Sequence, residues 1–346
     1  MYQYKIIAVT GLLTFAAALA LARHATRSTS WLRILDHPND RSLHQHPIPR
    51  TGGLAILGAG LCGMVLVDLA LPGARANLAV LLPGLIALAI VSFLDDRYGI
   101  PVRWRLLVHV CASASLVFSG YAPNPLELPI FALPLPAWFT SILTLLFIIW
   151  MINLYNFMDG MDGFAGGMAV IGFATLAWLG QVDAEFAAIC LTVAAASAGF
   201  LVHNFPPAKI FLGDTGSTTL GFLAAACGLW GSKAGLFPFW VALLVFSPFI
   251  MDATVTLLRR LLRGEKVWEP HRTHYYQRLV LLGWGHRRTV LAEYALMLAC
   301  AGSALLAVRL PPAGQAGLAI GWLFIHSLLM WGVGRLEQRR ATVSTP

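Results

Sequence analysis

Long apolar stretches of about twenty residues, separated by short polar loops, dominate the pattern along the chain. A helix of ~20 residues crosses the ~30 Å hydrocarbon layer of a bilayer, and the stretches lack the ~10-residue alternation of a membrane β-strand. The pattern predicts an all-α polytopic membrane protein with one membrane-embedded domain over residues 1–346. Eleven spans are predicted, at residues 4–22, 52–72, 77–94, 104–121, 137–154, 163–180, 185–203, 217–231, 235–258, 289–308 and 315–333.

Basic residues are distributed unevenly between the two sides that eleven spans define. Lys5, Arg75, Lys233 and Arg309 fall on one side, and the other twenty Lys and Arg residues fall on the opposite side. Because cytoplasmic loops are enriched in Lys and Arg, we predict an external N-terminus and a cytoplasmic C-terminus. The predicted cytoplasmic loops are 23–51, 95–103, 155–162, 204–216 and 259–288, and the proline-rich external connection 122–136 is predicted to be irregular.

The composition supports this class of protein and removes others. Hydrophobic residues make up 58% of the 346 residues and charged residues only 12%, with a mean hydropathy of +0.72, whereas soluble domains carry about 25% charged residues. The net charge of +8 follows from the positive-inside rule, so no nucleic-acid partner is expected. The five cysteines lie in apolar stretches without ligand spacing and are predicted to be packing residues.

Two adjacent carboxylates, Asp95 and Asp96, end the third span in FLDDRYGIPVRWR. Consecutive residues on a helix diverge by about 100°, so both side chains face one partner only if the helix ends there. Adjacent anions also require a nearby cation. The alternative is a solvated helix end with Arg97 as its partner, while Arg103 and Arg105 are expected to anchor the next helix at the lipid headgroups.

A second polar series follows the fifth span in NLYNFMDGMDGFAGG. Its members recur every three positions and are Asn153, Asn156, Asp159 and Asp162. Gly160 and Gly163 favour a helix break that turns Asp159 and Asp162 toward a common site. A helix-dipole role explains one carboxylate, but polar groups at membrane depth are costly, so the series favours a site for a cation and a phosphate.

Asp214 lies between two glycines in HNFPPAKIFLGDTGSTTLGF, immediately before the eighth span. One interpretation is a helix N-cap, a role that Thr215 or Ser217 would share. The other is functional, because free amides at a helix N-terminus bind phosphate and a carboxylate beside them binds Mg²⁺. Lys209 would then supply a further positive charge.

The last cytoplasmic loop, RRLLRGEKVWEPHRTHYYQRLVLLGWGHRR, is the most basic part of the chain. Attraction to anionic lipid is sufficient to explain its first basic residues. These are Arg259, Arg260, Arg263 and Lys266. His271, Arg272 and His274 are more specific, because an arginine between two imidazoles suits a pyrophosphate. His109 and His326 lie within spans and are expected to be packed, hydrogen-bonded residues.

The first cytoplasmic loop, DHPNDRSLHQHPIPRTGG, is dense in turn formers. An ordinary surface loop is one interpretation, but five loops with acidic, basic and glycine signatures meet on one face, where a soluble anionic substrate would meet a lipid substrate. Together with LDD, NLYNFMDGMDG, NFPPAKIFLGDTGS and PHRTHYYQRL, this loop resembles the motifs of the polyprenyl-phosphate N-acetylhexosamine-1-phosphate transferase family, the MraY/WecA superfamily. The five motifs follow the family's order from about residue 36 to residue 279.

The resemblance implies a multi-pass enzyme of the bacterial cytoplasmic (inner) membrane with its active site on the cytoplasmic face. Members transfer a sugar-1-phosphate from a UDP-sugar to a polyprenyl phosphate such as undecaprenyl phosphate and release UMP, with Mg²⁺ as cofactor and Mn²⁺ as an alternative. The expected partners are a UDP-N-acetyl sugar, a polyprenyl phosphate and the lipid bilayer, and a homodimer is left open. The last motif departs from the common His-x-His-His pattern and resembles WbpL-like and WecA-like enzymes that start O-antigen synthesis. The sugar of the donor stays open: it could be N-acetylglucosamine, N-acetylgalactosamine or a 6-deoxy form of either.

The resemblance also implies roles for individual residues. Asp214 matches the aspartate that binds Mg²⁺. The usual coordination of Mg²⁺ predicts a second carboxylate ligand from the pair Asp95 and Asp96, and Asp95 is the one selected. Asp95 and Asp96 match an essential pair near the attacking lipid phosphate, while Asp159 and Phe211 match positions that hold the uracil. The predicted catalytic residues are Asp95, Asp96, Asp159, Asp162 and Asp214, and the predicted substrate-binding residues are Asn153, Asn156, Lys209, Phe211, His271, Arg272 and His274.

Two chemical routes and two other protein classes stay open at this point. Either the polyprenyl phosphate attacks directly, oriented or deprotonated by an aspartate, or an aspartate attacks first and forms an aspartyl-phosphate. A CDP-alcohol phosphotransferase is disfavoured because the motif of that family continues after Asp-Gly with two residues and then Ala-Arg. In this chain, Asp162-Gly163 is followed by Phe-Ala-Gly. A membrane transporter is the alternative outside the enzymes, but it would carry ionisable groups near the bilayer midplane. Asp252 is the main exception, within the ninth span, and is expected to orient a basic residue.

Overall fold

The computed structural model describes residues 2–344 except residues 28, 31–33, 37, 39–45, 72, 124, 268 and 270. Parts of two motifs, residues 37 and 39–45 of the first and Pro270 of the last, lie outside the described residues. The helices are α1 (Tyr2–Ala25), α2 (Gly52–Ala70), α3 (Ala74–Tyr98), α4 (Val102–Leu116), α5 (Ala137–Phe157), α6 (Phe164–Leu179), α7 (Ala184–Asn204), α8 (Gly213–Lys233), α9 (Phe239–Val245), α10 (Ser247–Leu262), α11 (Tyr275–Leu279), α12 (Gly285–Ala307) and α13 (Pro312–Ser344). Short π-helical turns follow α4 (Val117–Tyr121) and α11 (Val280–Trp284).

The predicted apolar segments all coincide with helices, and the all-α polytopic class is confirmed. Within the described ranges, eight helices are long and apolar enough to cross a membrane, and the bent pair α9 and α10 makes nine. The chain is therefore a multi-pass membrane protein. Of the remaining predicted spans, α6 has only 16 residues and α8 starts with a polar run, so the count of eleven and the side of each terminus stay predictions.

The ninth predicted span is not one continuous helix. It bends by 80° between α9 and α10, at Phe246. Pro248, in the first turn of α10, lacks an N–H donor and its ring excludes the carbonyl of the preceding turn, which explains the break. The hydroxyl of Ser247 lies 3.0 Å from Nε2 of the buried His326, which is packed as predicted. The break carries α10, and Asp252 on it, toward the loop 259–288.

Helix α8 is the centre of the bundle. It is buried from Thr215 to Gly231 and packs against α2, α3 and α5. Glycines permit this packing: a Cβ on Gly221 would lie 2.4 Å from the Met151 carbonyl of α5, and one on Gly53 would lie 2.2 Å from the Gly216 amide. Small residues at such crossings let helix backbones approach closely. The start of α8 is thereby held against the start of α2 and the end of α3.

Two short antiparallel pairs of strands lie in the loops. Strand β1 (Leu35–Asp36) pairs with β2 (Ile48–Pro49) in the loop before α2. Strand β3 (Leu126–Glu127) pairs with β4 (Ala132–Leu133) in the connection 122–136, whose other described residues lie in no helix or strand, so the predicted irregular segment is confirmed apart from this short pairing. The paired residues fall between the prolines and keep their N–H donors, which is why they can form a ladder. All five cysteines are free thiols.

Candidate functional site

The N-terminus of α8 is where predicted acidic residues meet. Asp96, in the last turn of α3, accepts hydrogen bonds from the Asp214 amide at 3.3 Å, the Thr215 amide at 3.1 Å and the Thr215 hydroxyl at 2.9 Å. Leu212 occupies the N-cap position, so the N-cap interpretation of Asp214 was wrong. The amides expected to bind phosphate already donate to a carboxylate, because the end of α3 brings that group against the unpaired donors of the helix start.

Asp95 and Asp96 face different partners, as the rotation between neighbours on a helix requires. Asp95 accepts hydrogen bonds from the Ile100 amide at 2.6 Å and from Nη1 of Arg105. The same Nη1 lies 3.5 Å from Oδ2 of Asp214. Arg105 therefore bridges α3 and α8. The prediction that it anchors α4 at lipid headgroups was wrong, because two carboxylates within its reach bind it instead.

The other two arginines of this loop stay outside the site. Arg97 lies over the Tyr98 ring at 5.4 Å, and Arg103 lies over the Trp104 ring at 5.8 Å; both are exposed. Arg97 is therefore not the partner of the adjacent carboxylates. An interfacial anchor formed by Arg103 stays a prediction.

Arg50 belongs to the site although the sequence analysis did not select it. It donates to the carbonyl oxygen of Asp96, and its Nε and Nη1 lie 3.8 Å from Asp96 and 3.9 Å from Asp36. The first-loop motif fixes this arginine, because the Phe211 amide donates to the neighbouring Pro49 carbonyl at 2.7 Å. The motif is thus part of the site and not an ordinary surface loop. A basic residue two positions before the glycines that start α2 was the available signal.

Asn156 and Asp159 complete this group from the end of α5. The side chain of Asn156 donates to the Ser217 hydroxyl at 2.9 Å and also reaches Asp214. Asp159 accepts an amide hydrogen from the start of α8. Burial, and then the charges of Asp214 and Asp96, raise the pKa of Asp159 well above its usual range. We refer to Asp95, Asp96, Asp159 and Asp214 as the carboxylate side of the site.

Asp162 and Asn153 belong to other contacts. Asp162 pairs with Nδ1 of His286 at 3.0 Å and accepts the Ala208 amide at 2.9 Å. The turn between α5 and α6 thus directs Asp159 and Asp162 to different neighbours, and the predicted common site for the two was wrong. Asn153 donates to its own helix and lies 3.4 Å from Nδ1 of the buried His109, so it contributes to packing between α4 and α5.

The turn between α5 and α6 is held by side chains from the C-terminal part of the chain, which the sequence analysis missed. The Tyr276 hydroxyl donates to the Phe157 carbonyl at 3.1 Å, and the Tyr294 hydroxyl donates to the Gly163 carbonyl at 2.6 Å. Gly163 has a φ of +75°, which a residue with a side chain adopts only with strain. Together with His286, these contacts fix both ends of the turn.

His274 is a buried imidazole with a fixed orientation. Its ring is 2% exposed and stacks between Phe157 and Tyr276, with centroid distances of 6.2 and 6.0 Å. Its Nδ1 lies 3.2 Å from Oδ1 of Asp252, whose carboxylate also accepts the Tyr275 and Tyr276 amides at 3.0 Å. Asp252 therefore lies where the sequence suggested, against a basic residue, and it also binds the start of α11.

His271 and Arg272 lie beside it in a less buried position. The His271 ring is 4.8 Å from the His274 ring, and its Nδ1 lies 2.9 Å from the Thr273 hydroxyl. Burial, and then the neighbouring His274, lower the pKa of His271 to about 4. Arg272 is exposed. We refer to His271, Arg272 and His274 as the basic side of the site.

The first basic residues of the last loop are not all free for lipid. Arg260 is 8% exposed, pairs with Glu265 at 2.8 Å and donates to two carbonyl groups of its own loop at 3.1 and 3.2 Å. Arg259 donates to the Tyr275 hydroxyl. The lipid-attraction interpretation was therefore wrong for Arg260, which closes the loop after α10.

Two further predicted substrate-binding residues lie on the segment that leads into α8. The Phe211 carbonyl accepts the Gly52 amide at 2.9 Å, and its side chain is partly buried. The Lys209 amide donates to the His203 carbonyl at 2.8 Å, and its side chain is exposed. The segment is thus fixed by its backbone.

The residues present can accommodate Mg²⁺ if a substrate supplies part of its coordination. Among the described residues, no group of three His, Cys, Asp or Glu side chains is arranged to hold a metal ion alone. Asp95 and Asp214, however, meet at one cationic nitrogen. Mg²⁺ is usually bound by one or two carboxylates together with substrate phosphates, so this pair suits a substrate-assisted site.

Comparison with known proteins supports an enzyme of this chemistry. Residues 78–232 match the family described as glycosyl transferase family 4. A probable undecaprenyl-phosphate N-acetylglucosaminyl 1-phosphate transferase of Bacillus subtilis is 28% identical, over 84% of this chain and 82% of the relative. A decaprenyl-phosphate N-acetylglucosaminephosphotransferase of Mycobacterium tuberculosis is 29% identical, over 86% of this chain and 81% of the relative.

A third relative fixes the family assignment. The undecaprenyl-phosphate alpha-N-acetylglucosaminyl 1-phosphate transferase of Salmonella typhi is 30% identical, over 74% of this chain and 71% of the relative. Its alignment covers most of both chains, which leaves the transporter and the CDP-alcohol phosphotransferase without support. The chain belongs to glycosyl transferase family 4, in the superfamily of polyprenyl-phosphate N-acetylhexosamine-1-phosphate transferases that its loop motifs resemble.

Proposed function

We propose that this protein transfers an N-acetylhexosamine-1-phosphate from a UDP-sugar to undecaprenyl phosphate or another polyprenyl phosphate and releases UMP. The relatives support the reaction class, since each is named as a transferase acting on a polyprenyl phosphate. The observation that carries the proposal is the meeting of Asp95 and Asp214 at one cationic position between α3 and α8. Phosphoryl transfer depends mainly on such positioning and charge balance.

Asp95 and Asp214 would hold Mg²⁺, or Mn²⁺ in its place, with a phosphate oxygen of the substrate completing the set. When bound, the ion balances the negative charge of the transferred phosphoryl group. The Asp214 side chain is 37% exposed and that of Asp95 only 11%. Asp214 is therefore the better placed of the two to meet an incoming substrate.

Asp96 has a different task from its neighbour. It is 5% exposed, and its carboxylate accepts three hydrogen bonds from the start of α8. An attack by Asp96 on phosphorus would break those bonds, which supports direct attack by the polyprenyl phosphate over an aspartyl-phosphate at this residue. An oxygen of the polyprenyl phosphate forms the new bond to the sugar-linked phosphorus. The bond from that phosphorus to the oxygen shared with UMP breaks, and UMP leaves with the electron pair.

The uracil is proposed to bind Asp159 and Phe211. Since burial and neighbouring carboxylates raise the pKa of Asp159, this carboxyl keeps its proton more readily than an exposed aspartate. A protonated carboxyl both donates and accepts hydrogen bonds, which matches the adjacent N–H and C=O groups of uracil. The ring of Phe211, on the fixed segment before α8, would stack on the base.

The basic side is proposed to bind the pyrophosphate or the sugar of the donor. His274 is held rigidly by Asp252, while Arg272 is exposed and can reach a ligand with its planar guanidinium. The site lies on the cytoplasmic face of the inner membrane in this proposal, because the basic loops collect there. The product would be the lipid-pyrophosphate-sugar that starts an O-antigen or a related cell-envelope polysaccharide.

The test offers the purified protein undecaprenyl phosphate, Mg²⁺ and a panel of UDP-N-acetylhexosamines and their 6-deoxy forms. We expect one member of the panel to give UMP and a lipid-pyrophosphate-sugar in equal amounts, identified by mass spectrometry. The matched control is Asp214→Asn, which should give neither product. Release of UMP without a lipid product, or no reaction with any sugar, would contradict the proposal.

A further inference from the structure

Arg105 lies at the place where the carboxylate side of the site calls for a cation. One atom, Nη1, donates to Oδ2 of Asp95 and lies 3.5 Å from Oδ2 of Asp214. The two carboxylates come from different helices, α3 and α8, and they repel each other unless a positive charge lies between them. The guanidinium is therefore the cation that this structure places between them.

The position of Arg105 is fixed by the way α4 begins. Asp95 accepts the Ile100 amide at 2.6 Å, which ties the segment before α4 to the end of α3. Arg105 lies in the first turn of α4, and its side chain is 34% exposed. It is thus anchored at its backbone but free to change rotamer, since only its tip is bound to the two carboxylates.

A second arginine, Arg50, compensates the charge of Asp96, so the negative charges of the site are divided between two arginines. Arg50 contacts Asp96 and Asp36, whereas Arg105 contacts Asp95 and Asp214. Of these four carboxylates, Asp95 and Asp214 are the two that are suited to hold a divalent cation together with a substrate phosphate. A divalent ion held by that pair would compete with Arg105 for the same oxygen atoms, but it would leave Arg50 with its partners.

We propose that Arg105 is an exchange cation: it neutralises Asp95 and Asp214 in the metal-free enzyme, yields them to the divalent ion, and then donates to a substrate phosphate. The inference rests on the proposed function for the identity of that phosphate. A guanidinium released from two carboxylates beside a phosphate site has two-pronged geometry for phosphate oxygens. Arg105 is a positioning residue for the metal-free state and a phosphate ligand in the loaded state.

The exchange couples the metal to the anionic substrate. The ion must displace Arg105, and the displaced guanidinium then gains a partner only if a phosphate is present. Binding of the substrate therefore strengthens binding of the metal, and by linkage the metal strengthens binding of the substrate by the same factor. Without Arg105, the metal loses its competitor, and the only coupling left is through the phosphate oxygen that completes the coordination of the metal.

The experiment measures Mn²⁺ affinity by electron paramagnetic resonance of the full-length protein in detergent, without and with the UDP-sugar. We expect Arg105→Gln to bind Mn²⁺ at least ~10-fold more tightly than the wild type without substrate, because one positive charge has left the site. The UDP-sugar should raise Mn²⁺ affinity several-fold in the wild type and much less in Arg105→Gln. Unchanged or weaker Mn²⁺ binding by a folded Arg105→Gln protein would overturn the proposal.

Two further variants separate the causes. Arg103→Gln removes the same charge two residues away, from a side chain that lies over Trp104, and should behave as the wild type. Arg105→Lys keeps the charge and should keep weak Mn²⁺ binding, but it should lose part of the coupling because ammonium lacks the two-pronged geometry. Tight Mn²⁺ binding by Arg105→Lys equal to that of Arg105→Gln would overturn the exchange, and so would an equal effect of Arg103→Gln.

The transferase assay keeps this proposal distinct from the proposed function. Substrate-free Mn²⁺ binding tests the exchange whether or not the correct sugar is known. If the wild type transfers a sugar-1-phosphate but Arg105→Gln binds Mn²⁺ no better, the exchange fails and the function stands. If the Mn²⁺ results hold while no sugar is transferred, the exchange between arginine and metal stands and the proposed function fails.

Discussion

The carboxylate side and the basic side of the site are built by different means. On the carboxylate side, the acidic groups are held by the amides that start α8, by Arg105 of α4 and by Arg50 in the loop before α2. On the basic side, one buried carboxylate, Asp252, and two stacked rings hold a single imidazole. The first arrangement joins several helices at their ends, whereas the second depends on one broken span.

This difference has a counterpart in the family comparison. The match to glycosyl transferase family 4 covers residues 78–232, which include the whole carboxylate side and none of the basic side. A charge-balancing group serves any phosphoryl transfer, whereas groups that orient the donor depend on which donor is bound. We therefore expect changes on the carboxylate side to abolish turnover with any UDP-sugar, and changes on the basic side to weaken the use of the donor by degrees.

The largest effect is expected for Asp214→Asn. If Asp214 holds the metal as proposed, loss of its charge should lower kcat by about 1,000-fold or more, which corresponds to several kcal/mol of transition-state stabilisation. The fold should be unaffected, since Leu212 and not Asp214 occupies the N-cap position of α8. Steady-state kinetics at saturating Mg²⁺ and a thermal melt of the same preparation measure both quantities. A near wild-type rate would remove Asp214 from the metal site.

Asp96→Ala should combine a loss of activity with a loss of stability. The change leaves the Thr215 amide and hydroxyl without their acceptor in a buried position, at a cost of about 1–3 kcal/mol for each unsatisfied group. A melt in detergent should therefore show a clearly lower Tm. The control Asp68→Ala removes an ion pair with the exposed Arg75, which contributes little to stability because solvent screens it. Equal melts for the two variants would show that Asp96 does not hold α8.

The sequence predicted the helices well because burial in a bilayer imposes their length and composition locally. It also selected Asp95, Asp96, Asp159 and Asp214, since carboxylates at the ends of apolar segments are costly and therefore informative. The family motifs then supplied roles that spacing alone left open. The length of the apolar segments and the presence of polar groups at their ends were thus predictable, because both are properties of the local sequence.

The partners of those groups were not predictable, because they are set by packing between distant segments. Asp96 binds Thr215, which is 119 residues away along the chain. No motif shows that the amides at the start of α8 donate to this carboxylate and are therefore not free to bind a phosphate. Arg105 looked like a lipid anchor because its carboxylate partners are on other helices. Pro248 in the sequence indicates a break in the ninth span. The contact between Asp252 and His274 that results from the break is seen only in the folded structure.

Asp252→Asn tests the basic side with an intermediate effect. Asparagine keeps the volume but loses the charge that fixes the His274 tautomer, and loss of a carboxylate behind a functional histidine commonly costs about 10–100-fold in activity. We expect that loss in kcat/KM for the UDP-sugar. The double mutant with His274→Ala should have nearly the same kcat/KM as His274→Ala alone, because the imidazole is the group through which Asp252 acts on the donor. Additive losses would show that Asp252 acts independently of the imidazole.

The smallest effect is expected from the titration of His271. Burial of the ring, and then the neighbouring His274 and Arg260, lower its pKa to about 4, and this outweighs the opposite effect of Glu265 and Asp252. The unfolded chain takes up a proton near the usual value of about 6.5, whereas the folded chain does not until about pH 4, so stability falls as the pH falls through this window and is unaffected above it. His271→Gln should therefore have a flatter decline of Tm between pH 6.5 and 4 than the wild type, with parallel curves above pH 6.5.

The difference in Tm between the two proteins should be small because the ring is only half buried and solvent screens its charge. Thermal melts of both proteins in detergent across this range measure it, and identical slopes below pH 6.5 would show that His271 does not titrate with folding.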